Sequence, residues 1–139
     1  MKTRRESREQ AFVLLFEKTM TNDNMEDIIE MAVEARGIEM DAYCKKLTSL
    51  AELHLDEIDA LIEQNIRGWS LRRLSKVTLT ILRLAVCEIK FLCTKDVPVS
   101  VSINEAVELA KTYGNEKDAS YVNGVLSTIA KTLCEAENA

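Results

Sequence analysis

The chain has 139 residues, 47% of them hydrophobic and 29% charged, with a formal net charge of −5. That size gives one domain with enough apolar material for a core. One proline and four glycines punctuate it too sparsely for a multistranded β protein, and the abundance of Ala, Leu, Glu and Lys predicts an all-α fold. No apolar run approaches the roughly 18–20 residues that span a bilayer. The basic N-terminus is not followed by the apolar stretch and cleavage site of a secretory leader, so a cytoplasmic location without membrane contact is expected. Cys44, Cys87, Cys93 and Cys134 form no C-x-x-C pair and read as structural thiols of a reducing compartment.

The net charge hides a segregation. Residues 1–19 carry five basic and three acidic groups, residues 20–66 three basic and twelve acidic, and residues 67–95 seven basic and one acidic. An acidic total argues against a polyanionic ligand, but local field and not net charge steers one.

In chain order, the first helix is expected from Arg4 or Arg5 to about Met20, with Phe12, Leu15 and Phe16 on its apolar face. Arg5, Arg8, Phe12 and Phe16 fall close to one line, because eleven residues make about three turns. Arg4, Arg5 and Arg8 oppose the macrodipole at this end. They read either as a solvated basic terminus or as an arm for RNA phosphates. Asn24 or Asp23 caps a second helix through Met25, Ile28, Ile29, Ala32 and Ala35, closed by Gly37. Asp41 opens either one long helix to about Ile66 or a helix that Asp56 re-caps, with Tyr43, Leu47, Leu50, Ile58, Leu61 and Ile62 inward.

Gly68-Trp69-Ser70 separates the acidic half from the basic one and is the expected hinge between subdomains of about 1–67 and 70–135. Ser70 caps a short L-R-R-L turn, and Ser75 caps a helix over 76–93. Arg83 stands in an apolar setting of that helix, so its stem packs and its guanidinium needs a carboxylate, with Glu88 and Glu105 as candidates. Pro98 suits the start of the next helix, whose apolar positions are Val99, Ile103, Ala106, Val107 and Ala110. Gly114 is expected to end it at positive φ. Asp118 then opens a last helix carrying Val122, Val125, Leu126 and Ile129. Gly124 inside that helix costs about 1 kcal/mol relative to alanine, which close approach of another helix would explain. Glu135–Ala139 reads as a polar, disordered tail.

Catalytic machinery is not legible. There is no phosphate-binding G-x-x-x-x-G-K-[ST], no G-x-G-x-x-G, and the single histidine, His54, has no triad or metal-ligand company. The acidic middle reads as a solvated face. No enzyme, cofactor or metal is expected. Single-stranded RNA would need arginines for phosphates and flat side chains on which bases stack. Phe16 follows the arginine line and Tyr121 begins Y-V-N-G; each reads as a core aromatic or as a stacking platform.

Three blocks carry a resemblance: I-N-E-A-V-E-L-A-K-T-Y-G at 103–114 followed by Y-V-N-G-V-L at 121–126, L-R-R-L-S-K-V-T-L-T-I-L-R-L-A-V-C-E-I at 71–89, and R-E-Q-A-F-V-L-L-F at 8–16. Together they resemble the NusB family of bacterial transcription antitermination factors. The resemblance implies an all-α fold of two packed antiparallel helical bundles. It implies a non-catalytic protein that binds boxA-type RNA of ribosomal RNA operons with NusE, a ribosomal small-subunit protein, in an antitermination complex on RNA polymerase. The RNA face would use Arg4, Arg5, Arg8, Phe16 and Tyr121, so that two helices far apart in sequence meet on one surface. Arg72 and Thr78 would fall on the NusE side. Thr78 stands where the family often has an acid, Cys87 where an aromatic is common, and Ser120 where a basic residue is frequent.

Two rival readings follow from the same fold. One is a protein-interaction module or homodimer that does not bind RNA. The other is the NusB-like domain of an RNA cytosine methyltransferase, which would require a catalytic domain that these residues do not contain.

Overall fold

The computed structural model describes residues 3–66, 70–93 and 98–137, and for 135–137 the backbone alone. Among the described residues every regular element is helical. These are α1 (Arg4–Thr21), α2 (Met25–Arg36), α3 (Ala42–Leu53), α4 (Leu55–Gln64), a 3-10 turn (Leu71–Arg73), α5 (Lys76–Cys87), a π-turn (Glu88–Leu92), α6 (Val99–Tyr113) and α7 (Glu116–Glu137). The all-α expectation holds.

Local chemistry sets the helix starts. The Thr3 hydroxyl accepts the Glu6 N–H at 3.1 Å while Glu6 Oε1 accepts the Thr3 N–H at 3.4 Å, a capping box that puts a carboxylate into the arginine-rich first turn of α1. Asn24, and not Asp23, caps α2 by accepting the Asp27 N–H at 2.9 Å, and Gly37 closes it at φ +64°. Asp41 accepts the Cys44 N–H at 2.7 Å to start α3, and Ser75 accepts the Thr78 N–H at 3.1 Å to start α5.

Nine of the twelve residues of α5 are buried, so α5 is the axis of the fold. α1, α3, α4, α6 and α7 all pack against it. One contiguous apolar core runs from Ala11, Phe12, Leu14 and Leu15 in α1 through Leu47, Ile58 and Ile62 to Val122, Leu126 and Ile129 in α7. Gly68 and Trp69 of the expected hinge lie outside the described residues; Ser70 precedes the 3-10 turn without capping it through its side chain.

Several local expectations are corrected. The long helix after Asp41 breaks at His54 and not at Asp56. There the backbone leaves helical geometry (φ −108°, ψ 22°), and the imidazole stacks on Phe91 at 4.1 Å beside Glu57 at 3.2 Å. The helix expected over 76–93 is α-helical only to Cys87. It then widens, with Cys93 donating its N–H to Glu88 O at 2.8 Å, as in the π-bulges that cluster at functional sites.

Gly114 has φ −124° and not a positive value. Space is what demands glycine, because a Cβ there would stand 2.9 Å from Ala110 O and 2.5 Å from Asp118 Oδ2. Asn115 caps α7 by accepting the Asp118 N–H at 2.9 Å, and Asp118 returns the bond by accepting the Asn115 N–H at 3.0 Å. Gly124 admits no close neighbour, since nothing lies within 4 Å of a Cβ built there. α7 continues through Glu137, into the stretch expected as a tail.

No helix among the described residues is long and apolar enough to cross a membrane. Cys44 and Cys87 are buried, Cys93 is half-buried and Cys134 is exposed. Burial pushes the Cys87 thiol from its ordinary 9.0 up to about 12. The stability contributed by keeping this thiol neutral is therefore complete below pH 9.0 and is lost as pH rises toward about 12.

Alkylation by iodoacetamide at pH 8, followed by mass spectrometry, is expected to label Cys134 rapidly and Cys87 only after denaturation. In urea melts, Gly114→Ala is expected to cost about 1–3 kcal/mol. Gly124→Ala should raise stability by about 0.5–1 kcal/mol, because only the helix-interior penalty of glycine is removed.

Candidate nucleic-acid interface

The first turns of α1 present three arginines in three different environments. Arg4 is exposed, and its guanidinium lies over the Tyr43 ring of α3, 3.7 Å from the centroid. Arg5 is also exposed, at 64% of its side chain, and pairs with Glu105 of α6 at 3.0 Å. Glu105 holds the Arg5 guanidinium above its ordinary pKa through their hydrogen bond. Glu105 itself is only 15% exposed, so the pair is open to water from the arginine side.

Arg8 is different. It is buried, and its Nε donates to both oxygens of Glu88 at 2.8 and 3.0 Å. Glu88, the first residue of the π-turn, also accepts hydrogen bonds from the Tyr43 hydroxyl and from Ser102 of α6. Burial, followed by the Glu88 hydrogen bond, pushes the Tyr43 hydroxyl well above its ordinary pKa. A second tie joins α1 to α3, where the buried Ser7 hydroxyl donates to Asp41. Arg8 thus faces inward, and the outward basic groups of the arm are Arg4 and Arg5.

Further along α1, Phe12 is buried and meets Tyr113 of α6 with ring centroids 4.7 Å apart. The Tyr113 hydroxyl donates to Glu9 at 2.6 Å, and that bond pushes its pKa up to about 12. Phe16 stacks on Phe12 at 6.1 Å and is half-buried. It lines a groove with Met20, Ile28 and Met31 that Glu17, Asp23 and Asp27 rim. Tyr121 is half-buried on α7 and lines a separate groove with Gln64, Asn65, Ile66, Gly124 and Thr128. Its hydroxyl is buried with no hydrogen-bond partner among the described residues. Phe16 therefore borders α2, whereas Tyr121 borders the end of α4. Open space beside Gly124 is part of the Tyr121 groove, which gives that glycine a use that close helix packing does not.

The basic stretch divides in the same way. Arg83 is braced by a bidentate pair with Asp59, both contacts at 2.8 Å, and reaches Thr19 at 3.2 Å; neither Glu88 nor Glu105 is its partner. Lys90 pairs with Glu57 at 2.9 Å, and this hydrogen bond lowers the Glu57 pKa. Arg72, Arg73 and Lys76 are exposed around the 3-10 turn. Thr78 is 4% exposed, so its side chain offers little surface to a partner, whereas Arg72 offers much. Among the described residues no group of His, Cys, Asp and Glu is arranged to hold a metal ion.

Comparison with known proteins places the chain. The sequence profile described as "NusB family" matches residues 5–131. The chain belongs to the NusB family. A transcription antitermination protein NusB of Clostridium botulinum (strain Loch Maree / Type A3) is 41% identical, over 88% of this chain and 96% of its own length. One of Listeria monocytogenes serotype 4a (strain HCC23) is 44% identical, over 91% of this chain and 95% of its own. Among solved structures, a NusB chain from the complex of the antitermination factors NusB and NusE with double-stranded RNA superposes with a TM-score of 0.82. It shares 35% identity and covers 93% of this chain and 96% of that chain. NusB of T. maritima gives a TM-score of 0.81 at 38% identity, covering 94% of this chain and 93% of that one. The resemblance read from the three sequence blocks is thereby confirmed, and the relatives are named for antitermination and not for a catalysed reaction.

Sequence reasoning missed Tyr43 and Glu88 as the support beneath the arginine arm. Tyr43 was legible only as an inward position, and Glu88 only as a candidate for Arg83. Glu88 itself, at the end of the block over 71–89, was the available signal, since a carboxylate inside an apolar run requires a cation.

Removing one partner of a buried pair strands the other. Arg8→Ala and Glu88→Leu are each expected to cost about 3–5 kcal/mol in urea unfolding, whereas Arg5→Ala should leave the midpoint nearly unchanged.

Proposed function

We propose that this chain is a non-catalytic, RNA-binding transcription antitermination factor of the cytoplasm. In this reading it binds boxA-type single-stranded RNA together with NusE, and joins an antitermination complex on RNA polymerase at ribosomal RNA operons. Family membership across residues 5–131 is the observation that carries the reading. The structural relative whose complex includes NusE and RNA supports the same partners.

Within it, Arg4 and Arg5 contact phosphates, Phe16 and Tyr121 offer faces to bases, and Arg8 braces the arm from inside. Arg72 and the exposed turn around it face NusE. Thr78 contributes there through its place at the start of α5 and not through an ion pair. In this reading the chain divides near Gly68–Ser70 into subdomains of about 1–67 and 70–135, and α1, α3 and α4 of the first pack on α5 of the second. A second reading, a protein-binding module or homodimer without RNA, is favoured by one feature: Met20 and Met31, 58% and 65% exposed, leave apolar surface beside Phe16 within an acidic rim.

Fluorescence anisotropy with labelled boxA-type RNA, single-stranded and duplex, with and without NusE across a salt series, separates the readings. Two phosphate contacts by the arm predict a log–log salt slope of about −1.4 on a single strand, and Arg5→Ala should make it shallower by about 0.7. Tyr121→Ala and Phe16→Ala should each cost about 1–3 kcal/mol of binding if bases stack there. Salt-insensitive or absent RNA binding by the folded protein with NusE present would transfer the function to protein contacts alone.

A further inference from the structure

We infer that Tyr43, on α3, is a positioning residue of the RNA face, and that the Arg4–Tyr43 stack presents the Arg4 guanidinium ready-made to a phosphate of a single-stranded RNA. This deepens the RNA-binding reading and rests on it.

The geometry is specific. The Arg4 guanidinium lies 3.7 Å above the Tyr43 ring, so one of its two faces is covered. The in-plane N–H donors and the outer face remain directed away from that ring, the former suited to bidentate phosphate contact and the latter to a base. The ring cannot turn freely, because its hydroxyl donates to Glu88. That carboxylate is itself bound from two further sides, by Arg8 at 2.8 Å and by Ser102, with only 3% of its side chain exposed. Ser7 and Asp41 tie α1 to the start of α3, which keeps Arg4 in register with Tyr43.

An arginine on a free helix end loses rotamer freedom when it meets a ligand. Here the long side chain is laid on a fixed aromatic before RNA arrives, and so less freedom is lost on binding. Arg8 acts at one remove: it orders the platform without meeting the polyanion. The three arginines are thus a contact supported by a stack, a contact paired with a carboxylate, and an internal brace.

A double-mutant cycle tests this on the full chain with NusE, using a labelled boxA-type single strand as probe. Arg4→Ala and Tyr43→Leu are each expected to weaken binding by roughly threefold to tenfold. The double variant should bind no more weakly than either single one, and Arg4→Ala should lower the salt slope by about 0.7. Tyr43→Phe keeps the ring but frees it from Glu88, so its RNA affinity should fall between those of the parent and Tyr43→Leu, and its urea midpoint should fall. Additive losses, or parent-like binding by folded Tyr43→Leu when Arg4→Ala is weakened, would overturn the positioning role and leave RNA binding standing. If the parent itself shows no salt-sensitive binding, both fail together. Should Tyr43→Leu not fold, the Arg4 Nε–H resonance of the parent decides: a ring-current upfield shift that changes on adding RNA supports the stack, and a random-coil position overturns it.

Discussion

The Glu88 carboxylate is taken out of water where α1, α3, the π-turn and α6 converge, and Arg8, Tyr43 and Ser102 converge on it. Removing a charge from water costs several kcal/mol even after relaxation, and attraction within the pair roughly offsets that cost. The cluster therefore adds little net stability over an apolar replacement of equal volume. What it contributes is registry. Arg8 Nε bonds Glu88 Oε2 at 2.8 Å, a bond only one rotation of α1 allows, which turns Arg4 and Arg5 outward and leaves Phe12 in the core. The π-turn fits the same demand, since its wider turn begins at the residue that must face inward.

Around this anchor the charge of the chain sorts by burial more than by sequence. The basic stretch over residues 67–95 looks uniform, yet Arg83 is spent on Asp59 and Lys90 on Glu57, while Arg72, Arg73 and Lys76 remain exposed. Asp59 and Glu57 of α4 thus neutralise Arg83 of α5 and Lys90 of the π-turn. Arg72, Arg73 and Lys76 stay open to solvent around the 3-10 turn, as Arg4 and Arg5 do in the first turn of α1. The acids rimming the Phe16 groove limit how a phosphate can approach that ring, so a base reaching Phe16 would have to keep its backbone toward the arginines.

Much of the fold was legible because helices declare themselves locally. Asn24, Asp41 and Ser75 cap where their side chains can reach an unpaired N–H three residues on, and Gly37 closes α2 at positive φ. Where the sequence misled, a contact from elsewhere in the chain had intervened. His54 and not Asp56 marks the break after α3, because Phe91 of the π-turn lies against its ring. Gly114, expected to end its helix at positive φ, is instead confined by Asp118 and Ala110, and Gly124, expected at a close helix approach, borders open groove.

By itself the sequence determined the all-α class, most helix starts, the NusB family and the clustering of arginines at the start of α1, because each rests on spacing within a few turns or on motifs of contiguous residues. The tertiary structure alone decided which arginine of that arm faces solvent, which carboxylate each cation takes, and that Phe16 and Tyr121 border different grooves. Ion-pair choice depends on distances between residues as far apart as Arg8 and Glu88, and a helical periodicity fixes the face of one helix without naming the helix that will cover it.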